Sequence, residues 1–232
     1  MPHTPETVPA ADAVLAALRA GETVGVEALT GVVRRAQEAM NVWSGVQLLA
    51  LAQLAATEDV VVDGVPDEQF RGLGHVRLDA AALVPGELGL TDAGAAQRVA
   101  LGVRLSTAAP AVLGAVTAGV VDAWRASVVV RELAEVPVPV CRQVTDEVVA
   151  SLGESLSGIP AGRLRVVTRR VLGRVAPDLV AASQERARMG RELRRWCDVE
   201  GQDVWEVRLG QEQARPAFAA VEAKAAQLRR VD

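Results

Sequence analysis

The amino-acid sequence predicts a mainly α protein, a multi-helix, bundle-like assembly with a small C-terminal β-ribbon. Half of the 232 residues are apolar, Tyr is absent and Phe occurs only at Phe70 and Phe218. The core must therefore be built from Ala, Val and Leu around four tryptophans, a composition that suits close-packed helices. Apolar residues also recur at three- and four-residue steps over long segments. Strict alternation occurs late in the chain, in Trp205-Glu206-Val207-Arg208-Leu209, and indicates a strand there.

The charge distribution and the cysteine content limit the classes of protein to which the chain can belong. The net charge is -4, but residues 1–90 hold 5 basic and 12 acidic side chains, whereas residues 91–232 hold 20 and 17, so any basic surface is local. Cys141 and Cys197 are too few and too isolated for a disulfide framework or a zinc site. We therefore expect a cytoplasmic, reduced protein with no metal and no cofactor. The N-terminus lacks a signal-peptide pattern, and Gln47 and Gln53 interrupt the most apolar stretch, so we expect no membrane span.

The N-terminal part, residues 1–57, is predicted to be helical. A first helix covers about residues 11–20 and ends at Gly21, and a long amphipathic helix follows from residue 26 to residue 57, although Gly31 and Gly45 lie inside it. We expect the apolar stripe of this helix to face the core and the helix to be the spine of this part. The stripe consists of Leu29, Val32, Val33, Ala36, Met40, Trp43, Val46, Ala50 and Leu54.

An acidic, glycine-containing segment follows the long helix. Residues 58–75 carry five acids, three glycines and Pro66, a pattern typical of an exposed loop or flexible connection. We take it as the boundary before a helical module that covers residues 76–232.

The first candidate DNA-contacting motif lies near residue 90. Leu88-Gly89-Leu90-Thr91, with Thr91 as the cap of a helix that begins at Asp92, is similar to the turn and second helix of a helix-turn-helix. In that interpretation Arg98 and Arg104 would meet phosphates. A proline and a glycine stand where the preceding helix should run, and the early helix positions offer little base readout. The alternative is an ordinary helical corner.

Another short pattern surrounds Trp124. Gly119 is predicted to occupy the left-handed position past a helix end, and the next helix begins at once. We expect Trp124 to be a core or interhelical anchor. The alternative is base stacking, which requires an exposed ring in a basic groove.

Two arginine-lined helices follow between Pro160 and Trp196, where ten arginines stand against three acids. The first has an apolar stripe of Leu164, Val167, Val171 and Val175, edged on one side by Arg163, Arg170 and Arg174 and on the other by Arg165 and Arg169. The second begins at Pro177-Asp178, and its stripe is formed by Leu179, Ala182, Met189 and Leu193. Arg186 falls within that stripe, where it would need a polar partner. The pattern has two interpretations: arginine stems that cover the edges of a core, or a phosphate-binding surface.

The order of these elements resembles a known family. Two arginine-lined helices precede a two-stranded ribbon around Glu200-Gly201-Gln202-Asp203 and a final Ala-rich helix, and Glu185, Ala187 and Arg191 match a Glu-x-Ala-x-x-x-Arg pattern. From about Leu88 onward the chain resembles the domain of unknown function 222 family, the helical N-terminal module of actinobacterial HNH endonuclease-like proteins. The resemblance implies a non-catalytic module that binds or positions nucleic acid.

The expected function follows from that resemblance and from the arginines. An HNH centre needs a histidine base and further ligands around a metal ion, whereas this chain offers only His3 and His75, so we expect no enzyme activity. The expected partners are DNA and, through the apolar helices, a second copy of the chain. The alternative is a dimerisation or protein-interaction module that binds no nucleic acid. The expected nucleic-acid-binding residues are Arg98, Arg104, Arg163, Arg165, Arg169, Arg170, Arg174, Arg188, Arg191 and Arg195.

Overall fold

The computed structural model describes residues 16–21, 25–189 and 192–228, and these residues are mainly helical. The helices are α1 (Val26–Ala56), α2 (Pro85–Leu88), α3 (Asp92–Ala108), α4 (Pro110–Thr117), α5 (Ala123–Glu132), α6 (Val138–Leu152), α7 (Ala161–Val175), α8 (Pro177–Met189) and α9 (Gln211–Leu228). The strands are β1 (Thr57–Val62), β2 (Val65–Phe70), β3 (Glu192–Cys197) and β4 (Asp203–Arg208), and they form two antiparallel hairpins, β1-β2 and β3-β4. The predicted fold class is confirmed. Of the helix predicted over residues 11–20, residues 11–15 lie outside the described residues, residues 16–19 are helical, and Gly21 has a φ of 67°.

The chain divides into two compact units, residues 1–168 and residues 169–232, and the division falls within α7. The boundary predicted at residues 58–75 is wrong, because α1 on one side of that segment packs along α3 on the other. The segment is also not a plain loop. Thr57 to Phe70 form the β1-β2 hairpin, which pairs Thr57 with Phe70 and turns at Asp63 and Gly64, both with positive φ.

Helix α1 runs unbroken through both of its glycines, as predicted, but the face that it buries differs from the predicted stripe. Trp43 is 72 % exposed, and Met40 and Val33 are also largely exposed. The buried face consists of Asn41, Gly45, Leu48, Leu51, Ala52, Ala55 and Ala56. By length and composition Leu29–Ala56 could cross a membrane, although 39 % of its most apolar stretch is buried inside the protein.

Small residues explain which face of α1 is buried. A Cβ at Gly45 would lie 2.8 Å from the backbone nitrogen of Thr117 in α4, and a Cβ at Gly102 in α3 would collide with the carbonyl oxygen of Leu48. The helices therefore approach along their glycines, and Val33, Met40 and Trp43 of α1 remain outside. Asn41 completes the contact, because its Nδ2 donates to the carbonyl of Gly119 at 2.8 Å while its Oδ1 accepts from Gln37.

The helical corner at residue 90 forms as its sequence predicts. Gly89 is left-handed with a φ of 60°, and Thr91 Oγ1 accepts a hydrogen bond from the Gly94 amide at 3.2 Å, which caps α3. Helix α2 has four residues, which is too short for the first helix of a helix-turn-helix, so the structure favours the ordinary corner. At its other end α3 meets α4 at a bend of 113°.

Helix α5 is held in place at its first turn. Asp122 caps it by accepting from the Arg125 amide at 2.7 Å and pairs with the Arg125 guanidinium at 2.7 Å. Burial opposes the charge of Asp122, but these bonds outweigh it and lower the pKa of the carboxyl group. Arg125 also donates to the carbonyl of Ser157 at 2.7 Å and so joins α5 to the segment before α7. Gly119, with a φ of 83°, occupies the predicted left-handed position.

The second unit contains the end of α7, then α8, β3-β4 and α9. The β3-β4 hairpin is the predicted ribbon; it turns through Asp198, whose Oδ1 accepts from the amides of Glu200 and Gln202, and Gly201 has a φ of 78°. Helix α8 begins at Pro177, as predicted. Its predicted apolar stripe is wrong, because Arg186 and Met189 are exposed and Leu193 belongs to β3.

Candidate functional site

A groove of about 1040 Å³ lies in the first unit between α3 and α5. Helix α1 contributes Gln47 to it, and the corner before α3 contributes Leu88 and Leu90. The other lining residues are Gly94, Gln97, Arg98, Ala100, Leu101 and Arg104 of α3, Ala123, Trp124, Ser127, Val130 and Arg131 of α5, and Ala134. The lining is mostly apolar, and its polar side chains are three arginines, two glutamines and one serine.

Three arginines and no carboxylate line this groove. Within the described part of the chain Arg98, Arg104 and Arg131 hydrogen-bond only neutral groups. A partly desolvated guanidinium without a carboxylate partner favours an anion brought from outside. The groove is therefore locally basic although the chain as a whole carries a net charge of -4.

Arg98 is fixed by one neutral partner. Its Nε and Nη2 lie 3.2 and 3.0 Å from the Oε1 of Gln47, so the amide orients the guanidinium without neutralising it. Arginine has five N–H donors, so further donors remain for a ligand.

Arg104 lies at the opposite end of the α3 side of the groove and has a structural role. Its Nη2 lies 2.7 Å from the carbonyl of Leu133, 3.1 Å from that of Ala134 and 3.3 Å from that of Val136. These carbonyls follow the last turn of α5, where a cation is favourable. The same nitrogen lies 3.7 Å from the Sγ of Cys141, whose thiol is buried.

Trp124 and Arg131 form the α5 wall. The Cζ of Arg131 lies 4.8 Å from the centroid of the Trp124 ring, a cation–π geometry, and Arg131 is further held by Ser127. Trp124 is nevertheless 63 % exposed, so the prediction of a core anchor is wrong. The condition for the alternative, an exposed ring in a basic groove, is met.

Two residues of this groove were predicted from the sequence as site residues. Arg98 and Arg104 were expected to contact phosphates, and the fold brings both into the groove. Arg131 was missed as a site residue and Trp124 was expected elsewhere. A signal for both was present: they are seven residues apart, so they share one face of α5.

The other expected arginines lie elsewhere and differ in their contacts. Arg163 and Arg170 are exposed and make no ion pair within the described part of the chain. Arg165 pairs with Glu132 at 2.8 Å. Arg169 and Arg174 are exposed, and each also makes an interaction within the chain. Arg195 pairs with Asp203 at 2.6 Å and lies over the Trp205 ring. Arg191 and the side chain of Arg188 lie outside the described residues.

Groups with catalytic potential are dispersed. Within residues 16–21, 25–189 and 192–228 no three His, Cys, Asp or Glu side chains are grouped as metal ligands. Burial raises the pKa of the Cys141 thiol, only partly offset by Arg104, so this cysteine is a poor nucleophile. His75 Nε2 lies 2.8 Å from Glu58, and the hydrogen bond with His75, followed by that with Arg71, lowers the pKa of Glu58.

Comparison with known proteins adds no relative. The sequence matches no protein-family model, and neither the curated proteins nor the solved structures contain a significant match. The resemblance to the helical module of HNH endonuclease-like proteins therefore stays a prediction.

Proposed function

We propose that the chain is a non-catalytic helical module that binds nucleic acid, and that the groove between α3 and α5 receives an unpaired segment of a strand. One observation carries the proposal: an exposed indole ring, Trp124, lies in a groove lined by three arginines and no acid. Proteins that bind single strands combine a basic groove with aromatic rings on which bases stack.

The groove offers each part of a nucleotide a matching group. A base can stack on the open part of the Trp124 ring, which Arg131 steadies and makes part of a cationic surface. The phosphates are matched by Arg98 and Arg131. Along α3, Arg98 and Arg104 are six residues apart, or about 9 Å, so the basic wall is long enough to follow a strand past one nucleotide.

An unpaired strand fits the groove better than a duplex does. Duplex readout by a helix-turn-helix needs a first helix across the backbone, and α2 has only four residues. Stacking on Trp124 also requires a base that is out of the duplex stack. In the HNH endonuclease context that the sequence resembles, such a module would hold a strand for a separate nuclease segment.

The test is binding of a fluorescein-labelled 20-nucleotide oligothymidine, followed by anisotropy at low salt. Trp124→Leu should weaken binding by roughly 5- to 150-fold, because base–aromatic stacking contributes about 1 to 3 kcal/mol. Phe70→Leu, at another exposed aromatic residue outside the groove, is the matched control and should leave the affinity unchanged.

The arginines are tested in the same assay. Arg98→Gln with Arg131→Gln should weaken binding and make the salt dependence shallower by roughly 1.4 units on the double-logarithmic plot, about 0.7 for each lost phosphate contact. Arg215→Gln, at an exposed arginine of α9, is the control. Equal affinity of the parent, the Trp124 variant and the arginine variant, with all three folded by circular dichroism, would contradict the proposed site.

A further inference from the structure

The outer face of α1 is apolar and has no partner among the described residues of the first unit. Trp43 is 72 % exposed and Val33 69 %, and Met40, Val46 and Leu49 are also exposed. A helix that is apolar on all sides is normally buried on all sides. An inference from this face does not depend on nucleic-acid binding, because none of these five side chains lines the groove.

The N-terminal half of α1 extends beyond the core. Asn41 is the first buried residue of the helix, so more than three turns precede any buried side chain among those described. Short helical segments are marginally stable in water without packing contacts. Val26 and Val33, which stand exposed on this half, indicate that a contact is missing there.

Charges bracket the apolar stretch with opposite signs. Residues 39–57 contain no charged side chain. Arg34 and Arg35 precede the stretch, with the Arg34 side chain 74 % exposed and only a 4.0 Å contact to Glu38. Glu58 and Asp59 follow it and pair within the chain, Glu58 with Arg71 and His75 and Asp59 with Arg77. They open the β1-β2 hairpin, which adds Asp63, Asp67 and Glu68, and these three make no ion pair within the described part of the chain.

We propose that α1 pairs antiparallel with α1 of a second copy of this chain, about a two-fold axis between Val46 and Gln47. This axis lies midway between the arginine pair and the start of the hairpin, so the half of α1 that carries Arg34 and Arg35 in each copy lies beside the hairpin of the other copy, with its exposed Asp63, Asp67 and Glu68. In a two-fold contact the same patch of both copies is used, so the N-terminal half of each α1 meets the hairpin of the other copy.

The hairpin completes the pairing. It begins directly after α1 ends, so an antiparallel partner places its hairpin beside the extending N-terminal half of the first copy. Val61, Val62 and Val65 of the hairpin are exposed and provide apolar surface for Val26 and Val33 of the other copy. Burial of these side chains is favourable in proportion to the apolar area removed from water.

Charge argues against the two other occupants of this face. A parallel pair would place both acidic hairpins side by side, and like charges at an interface are unfavourable. A membrane with anionic headgroups would repel the same hairpins, and the inner face of α1 is packed against α3 and α4 rather than free for lipid.

The first arm of the test measures mass by light scattering after gel filtration. The parent at about 100 µM should elute as a dimer, and Val46→Glu should dissociate it, because the charge would lie at the axis in an apolar contact. Leu78→Glu, at a fully exposed leucine outside α1, should leave the dimer intact. A monomeric parent, or a monomer that floats with phosphatidylcholine–phosphatidylglycerol vesicles, would overturn the proposal.

The second arm fixes the direction of pairing in a Cys197→Ser background, in which the buried Cys141 is the remaining native thiol. Val46→Cys lies beside the axis and should cross-link to itself under mild oxidation. Val33→Cys should not, because the two copies of residue 33 would lie about 40 Å apart in the antiparallel pair. Self-cross-linking at both positions would show a parallel pair and overturn the proposed arrangement.

Discussion

Single glycines decide how α1 packs, and a sequence pattern based on apolar side chains does not register them. Gly45 and Gly102 lie where helices meet most closely, and Asn41 supplies a buried hydrogen bond in the same interface. The stripe predicted from large apolar residues therefore pointed to the wrong face. A helix buries the side along which its neighbour can approach, and here four of the seven buried residues on that side are glycine or alanine.

The glycine contact can be tested with a matched pair of substitutions. Gly102→Ala should lower the free energy of unfolding by about 1 to 3 kcal/mol, because its methyl group would overlap the backbone of Leu48. Gly114→Ala, in α4, meets no atom within 4 Å and should instead raise stability by about 0.4 to 1 kcal/mol. Urea denaturation measures both, and a Gly102→Ala variant as stable as the parent would show that α1 and α3 are farther apart than described.

At the scale of elements, local sequence patterns were sufficient to predict most helix bounds, caps and turns, but they did not predict how the elements pack. Five features were predictable because caps, turns and periodicity are local properties. They are the bounds of α1, the Thr91 cap, the Gly119 turn, the start of α8 and the ribbon. The β1-β2 hairpin was missed, since its acids and glycines are also typical of a loop. Trp124 was misplaced because exposure depends on what packs beside α5, which periodicity cannot show.

Helix α7 illustrates both interpretations of an arginine-rich helix. Leu164 and Val171 are buried, as its predicted stripe requires, while Arg165 pairs with the largely buried Glu132 and so has a structural role. Arg163 and Arg170 are exposed and lie seven residues apart, which places them on one side of the helix about 10 Å from each other.

These two arginines give a prediction for α7. Arg163→Gln with Arg170→Gln should leave the melting temperature unchanged, because both side chains are exposed and Gln keeps helix propensity. If α7 adds phosphate contacts, the salt dependence of oligonucleotide binding should become shallower by roughly 1.4 units. An unchanged slope would confine nucleic-acid contacts to the groove between α3 and α5.

At the scale of the whole molecule, charge is distributed so that a net acidic chain presents a basic site. The groove between α3 and α5 belongs to the first unit alone, and its basic character comes from arginines that no carboxylate neutralises, not from an excess of arginine in the chain. The sequence located Arg98 and Arg104, which the fold brings into this groove. It could not place Arg131 and Trp124 beside them, because that contact is made by the packing of α5 on α3.

The central claim is that this groove binds an unpaired nucleic-acid strand, and the salt dependence of binding by the parent chain tests it most directly. With Arg98 and Arg131 facing phosphates, the affinity for a 20-nucleotide single strand should fall with a slope of roughly -1.4 on the double-logarithmic plot, and the strand should bind tighter than a 20-base-pair duplex. The net charge of -4 predicts weak binding that is measurable only at low salt. Binding that does not respond to salt, or no binding to the single strand at 20 mM salt, would contradict the account.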